Sequence, residues 1–412
     1  MVDHLQSKAV SFVSENHSTS SQHDEVEEFI SEENPLFLMG KRHLIHTHFD
    51  VSMIRRRFNS LFWLTYRRNF TPIGGTGPTT DTGWGCMLRC GQMLISNAFL
   101  RLWLGSEYIW EFDPENALYR KILCQFLDDR RSSYSIHQIA QMGVSEGKPV
   151  GDWFGPNTVA QVLRKMAFFD DFTTHRVHVA LDNTIVIEDI YKTCLHSSTP
   201  SKSGATSEEH KLSWVPLILL IPLRLGLTDL NPLYIPSLKA CMRCSFTIGL
   251  IGGRPNYAFY FIGYQGDRLL YMDPHFPQNV STAEKDDASY HCKYPSKMPF
   301  MSLDPSLAIA FLCKSKEEFT QLLIFIRNEI MNLSNQPMFE IVEKRPQHWP
   351  PFQDAVYGTQ ETVDVESDED VLNSDDDFVI FLADFQHPIK LVLYSGDTRF
   401  STSIENRLLI SI

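Results

Sequence analysis

No run of residues in this chain approaches the ~20 apolar residues that a helix needs to cross a bilayer. The most apolar stretch is 215–223, where Pro216 and Pro222 are read as flanking a short buried strand. Cysteine is sparse: eight in 412 residues do not make a disulfide scaffold. Cys241-x-x-Cys244 is a lone pair without a second, so it makes no zinc site and reads as two reduced thiols. A basic excess is also missing. The chain has 37 Lys and Arg against 50 Asp and Glu, net −13, which argues against a nucleic-acid protein. The N-terminus has Asp3 and polar residues where a secretory leader would be basic and then apolar. A reducing, cytoplasmic setting is therefore expected.

The acidity is confined to the flanks. Residues 1–34 carry −7 and residues 352–380 carry −10, which leaves +4 over 35–351 and zero over 381–412. This divides the chain into a disordered acidic N-terminal tail (1–34), a mildly basic body (35–351) and an acidic C-terminal tail with an extension (352–412). Residues 196–213, rich in serine, read as a surface insertion in the body. Mixed helical and strand periodicities across 35–351, with enough apolar residues for a sizeable core, indicate an α+β fold. One helix is expected over 157–166, with Val159, Val162, Leu163 and Met166 on one face.

Two segments carry chemistry. Asp81-Thr82-Gly83-Trp84-Gly85 is turn-like, with Asp81 or Thr82 as a helix cap. From Cys86 onward, Met87, Gly91, Leu94, Ile95, Ala98 and Leu102 recur at helical spacing. Cys86 thus stands at a helix N-terminus, where backbone N–H groups and the dipole favour a thiolate and can hold an oxyanion. Cys90, one turn later, is read as packing. Downstream, 258–264 and 269–272 form a hairpin about the Gln265-Gly266-Asp267 turn. Asp273-Pro274-His275 follows it. Residues i and i+2 of an extended segment share a face, so Asp273 can orient the His275 imidazole as a proton shuttle. A thiol, a base and an orienting carboxylate describe covalent acyl transfer.

Around these residues the sequence resembles the autophagy cysteine proteases, or autophagins. The resemblance runs over roughly 35–350. It includes Phe62-Trp63-Leu64-Thr65-Tyr66-Arg67-Arg68-Asn69-Phe70, Asp81 through Gln92, Trp153-Phe154-Gly155-Pro156-Asn157, Leu220 through Gly226, and the hairpin ending in Asp273-Pro274-His275. It implies a papain-like cysteine protease with a small auxiliary subdomain, needing no metal and no cofactor. By similarity Cys86 is the nucleophile, His275 the general base and acid, and Asp273 its orienting carboxylate. Tyr66 matches a hydroxyl that supports the oxyanion, and Trp153 an indole that covers the groove. Gly253, Pro255 and Asn256 belong to a matching mobile loop that closes against it.

A slit between an indole and a proline-bearing loop selects a residue without a Cβ. The implied partners are autophagy ubiquitin-like modifiers, free and lipid-conjugated, with transient contact with autophagic membranes. The implied reaction is cleavage after the modifier's C-terminal glycine, from the precursor and from phosphatidylethanolamine. Asp375-Asp376-Asp377-Phe378-Val379-Ile380-Phe381 resembles the family's acid-flanked modifier-binding motif, with Phe378 as the aromatic and Phe381 where an aliphatic is expected. Two other readings share the fold: a binding module that sequesters the modifier, and a papain-like enzyme of different specificity.

Overall fold

The computed structural model describes residues 34–352, apart from 112, 114–115, 198–211, 282–286 and 293, together with the backbone of three short C-terminal strands. The chain falls into two units, residues 1–346 and 347–412.

The first unit is built on a nine-stranded sheet. Its strands are β1 (Leu36–Leu38), β2 (Lys41–His43), β3 (Arg176–Val179), β4 (Leu217–Arg224), β5 (Thr247–Arg254), β6 (Tyr257–Gln265), β7 (Arg268–Met272), β8 (Ser296–Pro299) and β9 (Ser306–Cys313). The spatial order is β8-β7-β6-β5-β9-β4-β3. Only β3 and β4 run parallel. β1 pairs with residues 263–265 of β6, beyond the residues that β5 occupies, and β2 pairs with β1.

Successive side chains of a strand point to opposite faces. Here both faces are apolar, so both must be covered. In β4, Leu217, Leu219, Ile221 and Leu223 enter one core, while Ile218 and Leu220 enter the other. The second core also takes in α1 (His48–Asn59), α2 (Cys86–Trp103), α3 (Ala117–Cys124), α4 (Ile136–Val144) and α5 (Pro156–Phe168). The first is closed by α6 (Ile187–Cys194), α7 (Ile235–Arg243) and α8 (Lys316–Phe325). This is a mixed α+β architecture consistent with a papain-like protease. Among the described residues no boundary sets a small auxiliary subdomain apart within the first unit.

α2 is the central helix. Every residue from Cys86 to Leu100 is buried, because the sheet strands β5 and β6 cover one side and α3, α4 and α5 the others. The periodicity of its apolar residues marks one face; the helix is in fact enclosed all round. α5 covers the span read as a helix, with Gly155 as N-cap and Pro156 in its first turn. Val159, Val162, Leu163 and Met166 are all buried there.

Pro222 lies inside β4 rather than at its flank, paired with Ala308 of β9. The backbone of Leu220 faces β3, since its carbonyl accepts from the Ala180 N–H. Residue 222 faces the same way, and β3 has ended by then. The N–H that proline lacks therefore has no strand to meet.

The strands Leu195–Ser197 and Leu212–Trp214 pair antiparallel at the base of the expected insertion, whose centre lies outside the described residues. In the second unit, Val379–Leu382, Lys390–Ser395 and Thr398–Thr402 form an antiparallel three-stranded sheet. The extension thus holds two strands, over Lys390–Ser395 and Thr398–Thr402. Phe381 is in the strand Val379–Leu382, while Phe378 and residues 1–33 lie outside the described residues. No described helix is long and apolar enough to cross a membrane.

Candidate active site

Cys86 opens α2. Gly85 occupies the N-cap position, and no side chain caps the helix. This corrects the expectation that Asp81 or Thr82 caps it. The reason is spatial: Asp81 turns inward and is fully buried, with its carboxylate on Arg67 and Arg89. Without a capping side chain, the first N–H groups of the helix remain available for an oxyanion. Thr82 is exposed.

The histidine arrives from the sheet. β6 and β7 form the expected hairpin, and Asp273, Pro274 and His275 follow directly on β7. Asp273 Oδ1 accepts from the backbone N–H of His275 at 2.9 Å and lies 2.6 Å from its Nδ1. One carboxylate oxygen thus fixes both the main chain and the ring. This places the ring proton on Nδ1 and turns Nε2 away from Asp273. Nε2 is buried without a nitrogen or oxygen partner. The other ionisable group acting on the ring is the Cys86 thiol.

Electrostatics make these two an ion pair. Burial is the strongest influence on His275 and disfavours its charge, but its hydrogen bond to Asp273 leads a set of contributions, with Cys86 next, that outweigh it. The imidazole is pushed up to about 9. For Cys86 burial again opposes charge, and the neighbouring His275, then Tyr66 and Trp153, overcome it. The thiol ends below its ordinary range. Cys90 shows the contrast: buried and facing the negative charges of Cys86 and Asp273, it is held well above that range. A thiolate–imidazolium pair at neutral pH can attack an acyl carbon and then protonate the leaving amine.

Alkylation of Cys86 by iodoacetamide is therefore expected to rise and level off at a lower pH than that of a free thiol. A free thiol gains about tenfold per pH unit below its pKa. Peptide mapping of the labelled cysteine across pH 5–10 checks this. A profile that rises at or above the pH of a free thiol would refute the ion pair.

Tyr66 and Trp153 reach the thiol as well. The Tyr66 hydroxyl lies in the field of Cys86, and burial followed by the thiolate's charge holds its proton firmly on. It is a donor in place beside the nucleophile. Its ring stands edge-on to His275 with centroids 5.4 Å apart. The Trp153 side chain also favours the thiolate, yet the residue remains 46% exposed. An indole that acts on the thiol and also faces solvent stands at the edge of the site.

Gly253, Pro255 and Asn256 lie at the β5–β6 connection. It is a tight turn, with Arg254 paired to Tyr257 and Gly253 to Ala258. A Cβ on Gly253 would sit 1.7 Å from the Tyr257 carbonyl oxygen, so only glycine lets the two strands close. Pro255 and Asn256 are exposed. The turn reaches the site through Tyr257, whose ring meets His275 at 5.0 Å, with the Arg254 guanidinium 4.5 Å from the Tyr257 centroid. Phe259 lies 5.6 Å from His275. Phe378 and Phe381 have no described side chains.

Reading by motif missed the supporting contacts. Trp63 Nε1 donates to the Asp273 carbonyl at 2.7 Å. The Tyr66 N–H donates to the Pro274 carbonyl at 2.9 Å, and the Gln278 N–H donates to the Tyr66 carbonyl at 2.9 Å. Segment 63–66 is thereby tied to both halves of the site. One signal was visible: Arg89 interrupts an apolar helix three residues after Cys86, and a buried cation requires a buried anion.

A central-helix thiolate, an Asp-oriented histidine and a tyrosine donor together define a papain-like cysteine hydrolase. Residues 51–324 match the model of the peptidase C54 catalytic domain. Cysteine protease ATG4A of Bos taurus is 45% identical over 349 residues, covering 80% of this chain and 87% of the relative. Cysteine protease ATG4A of Homo sapiens is 43% identical over 349 residues, with coverages of 80% and 87%. Cysteine protease ATG4B of Xenopus laevis is 45% identical over 328 residues, with coverages of 76% and 85%. The chain belongs to the peptidase C54 family, the autophagin-type cysteine proteases.

Proposed function

We propose that this protease hydrolyses the amide that follows the C-terminal glycine of autophagy ubiquitin-like modifiers. It would act both on trailing residues of the precursor and on the bond to phosphatidylethanolamine. The observation that carries the reading is the site itself: Cys86 at the start of the central helix, its thiol lowered by His275, whose ring is held by Asp273. In this reading Cys86 attacks the glycine carbonyl, and the Tyr66 hydroxyl and the helix N–H groups hold the oxyanion. His275 protonates the departing amine, then activates the water that releases the modifier from the acyl-enzyme. Both substrates present the same acyl carbon and differ only in the amine that leaves, so one thiolate serves both.

Selection for glycine is assigned to the narrow space between Trp153 and the turn bearing Pro255 and Asn256, where a Cβ would meet the indole. The C-terminal segment about Phe378 and Phe381 is proposed as a second, strand-type contact with the modifier. The activity is placed in the reducing cytoplasm, where Cys86 stays a thiol.

The test is a C-terminally tagged modifier and the same protein with its terminal glycine changed to valine. The first is expected to yield a product whose mass ends at glycine. The second is expected to turn over at least about 10²-fold more slowly. Equal rates on the two would overturn the glycine-selective reading.

A further inference from the structure

Two halves of the site come from opposite sides of the core, and a buried charge cluster joins them. Asp81 and Arg89 have no solvent exposure, and Asp128 and Arg67 have almost none. Arg89 projects from α2 one turn after the nucleophile. Its Nε donates to Asp81 Oδ2 at 2.7 Å. The other oxygen, Asp81 Oδ1, accepts from the backbone N–H of Arg67 at 2.7 Å. The Asp81 carbonyl accepts from the N–H groups of Trp84 and Gly85 at 3.2 and 2.9 Å. A Cβ on Gly85 would fall 2.5 Å from Asp81 Oδ2, so the turn that delivers Cys86 is pressed directly onto this carboxylate.

Arg67 adjoins Tyr66, whose backbone is bonded to Pro274 and Gln278 on either side of His275. The path from the thiol to the histidine thus runs through α2, Arg89, Asp81, Arg67, Tyr66 and Pro274, each step a hydrogen bond or a covalent neighbour. Asp128 has a different part. Its Oδ1 is 2.8 Å from Arg89 Nη1, but neither of its oxygens has hydrogen-bond geometry. It supplies counter-charge to Arg89 and, through space, to Arg67, but makes no hydrogen bond to the turn or to the tyrosine segment.

We propose that Asp81 is a positioning residue for the reaction: gripping Arg67 with one oxygen and Arg89 with the other, it sets the Tyr66 hydroxyl against the Cys86 thiol. This rests on Cys86 being the nucleophile. Asp81 has two acceptor atoms for two donors. Asparagine has one acceptor, so Asp81→Asn releases either the tyrosine segment or the helix.

The experiment compares full-length wild type, Asp81→Asn, Asp128→Asn and the milder Arg89→Lys, which keeps the charge but loses the Nε donor geometry. Three quantities are read: the melting midpoint, the pH profile of Cys86 alkylation mapped by mass, and kcat and KM on the tagged modifier. Asp81→Asn and Asp128→Asn each remove one of the two buried counter-charges of Arg89, so both midpoints are expected to fall by similar amounts. Only Asp81→Asn is expected to move the alkylation profile upward, by about one pH unit, and to lower kcat by about 10²-fold with KM within about twofold. Arg89→Lys is expected to shift the profile in the same direction by less, and it decides the matter if Asp81→Asn does not fold.

An unchanged profile in both Asp81→Asn and Arg89→Lys would overturn the proposal. So would an equal shift in Asp128→Asn, which would make the effect one of stability alone. A wild-type Cys86 that alkylates no faster than a free thiol would instead remove the nucleophile assignment, and this inference with it.

Discussion

Replacing Cys86 by alanine is expected to lower turnover of the tagged modifier by about 10⁵- to 10⁶-fold while leaving its affinity for the enzyme within about twofold. The size follows from the mechanism: without sulfur there is no acyl-enzyme, and the oxyanion donors alone cannot replace a covalent path. A factor of 10⁵ corresponds to about 7 kcal/mol of transition-state stabilisation. The substitution removes one sulfur atom from a buried helix start and leaves the Asp273–His275 contact intact, so the fold is expected to persist. Single-turnover mass spectrometry with a binding titration checks both halves of the expectation.

His275→Ala is the second large effect, and it acts twice. It removes the general acid and base, and it removes the neighbour that most favours the Cys86 thiolate. Burial is the strongest influence on that thiol and pushes its pKa up. With only Tyr66 and Trp153 left to oppose burial, Cys86 is expected to alkylate at pH 7 more slowly than a free thiol. Turnover is expected to fall by at least about 10⁴-fold.

The stability change should also depend on pH. The His275 pKa rises on folding from an ordinary 6.5 to about 9. Its contribution is therefore complete below about pH 6.5 and is lost as pH rises through 9. That contribution is up to about 3 kcal/mol, one interaction shared with Cys86 and counted once. His275→Ala should thus be more destabilising at pH 6 than at pH 9.5. Melting curves of wild type and variant at the two pH values measure the difference, and equal losses would contradict the ion pair.

The parts of the site that depend on short spacing were legible in the sequence. Gly85-Cys86 before a helical periodicity, and Asp273-Pro274-His275 after a hairpin, each occupy one local element, and the structure places them as read. Tyr66 and Trp153 were legible only through the family resemblance, because nothing local distinguishes them from packing aromatics. In the structure both act on the thiol.

Long-range contacts were not legible. Asp81 reads locally as a helix cap, since the turn around it is rich in capping residues. Its true partners, Arg67 and Arg89, are brought to it by the enclosure of α2. Apolar periodicity could not show that enclosure, because it marks where a helix must be buried and is silent on whether polar positions are buried too. Arg89, Gln92, Ser96 and Asn97 are all buried on α2. Pro222 was misplaced for a related reason: whether a proline interrupts a strand depends on what lies beside its missing N–H.

The most direct test of the account is capture of the nucleophile by its expected acyl group. A ubiquitin-like modifier ending in glycine, with the terminal carboxylate replaced by a thiol-reactive vinyl ester, is incubated with the full chain at pH 7 and the adduct is mapped by peptide mass. One modifier per chain, attached to Cys86 and absent in Cys86→Ala, is the expected result. No adduct, or an adduct on Cys90 or another of the eight cysteines, would contradict the account.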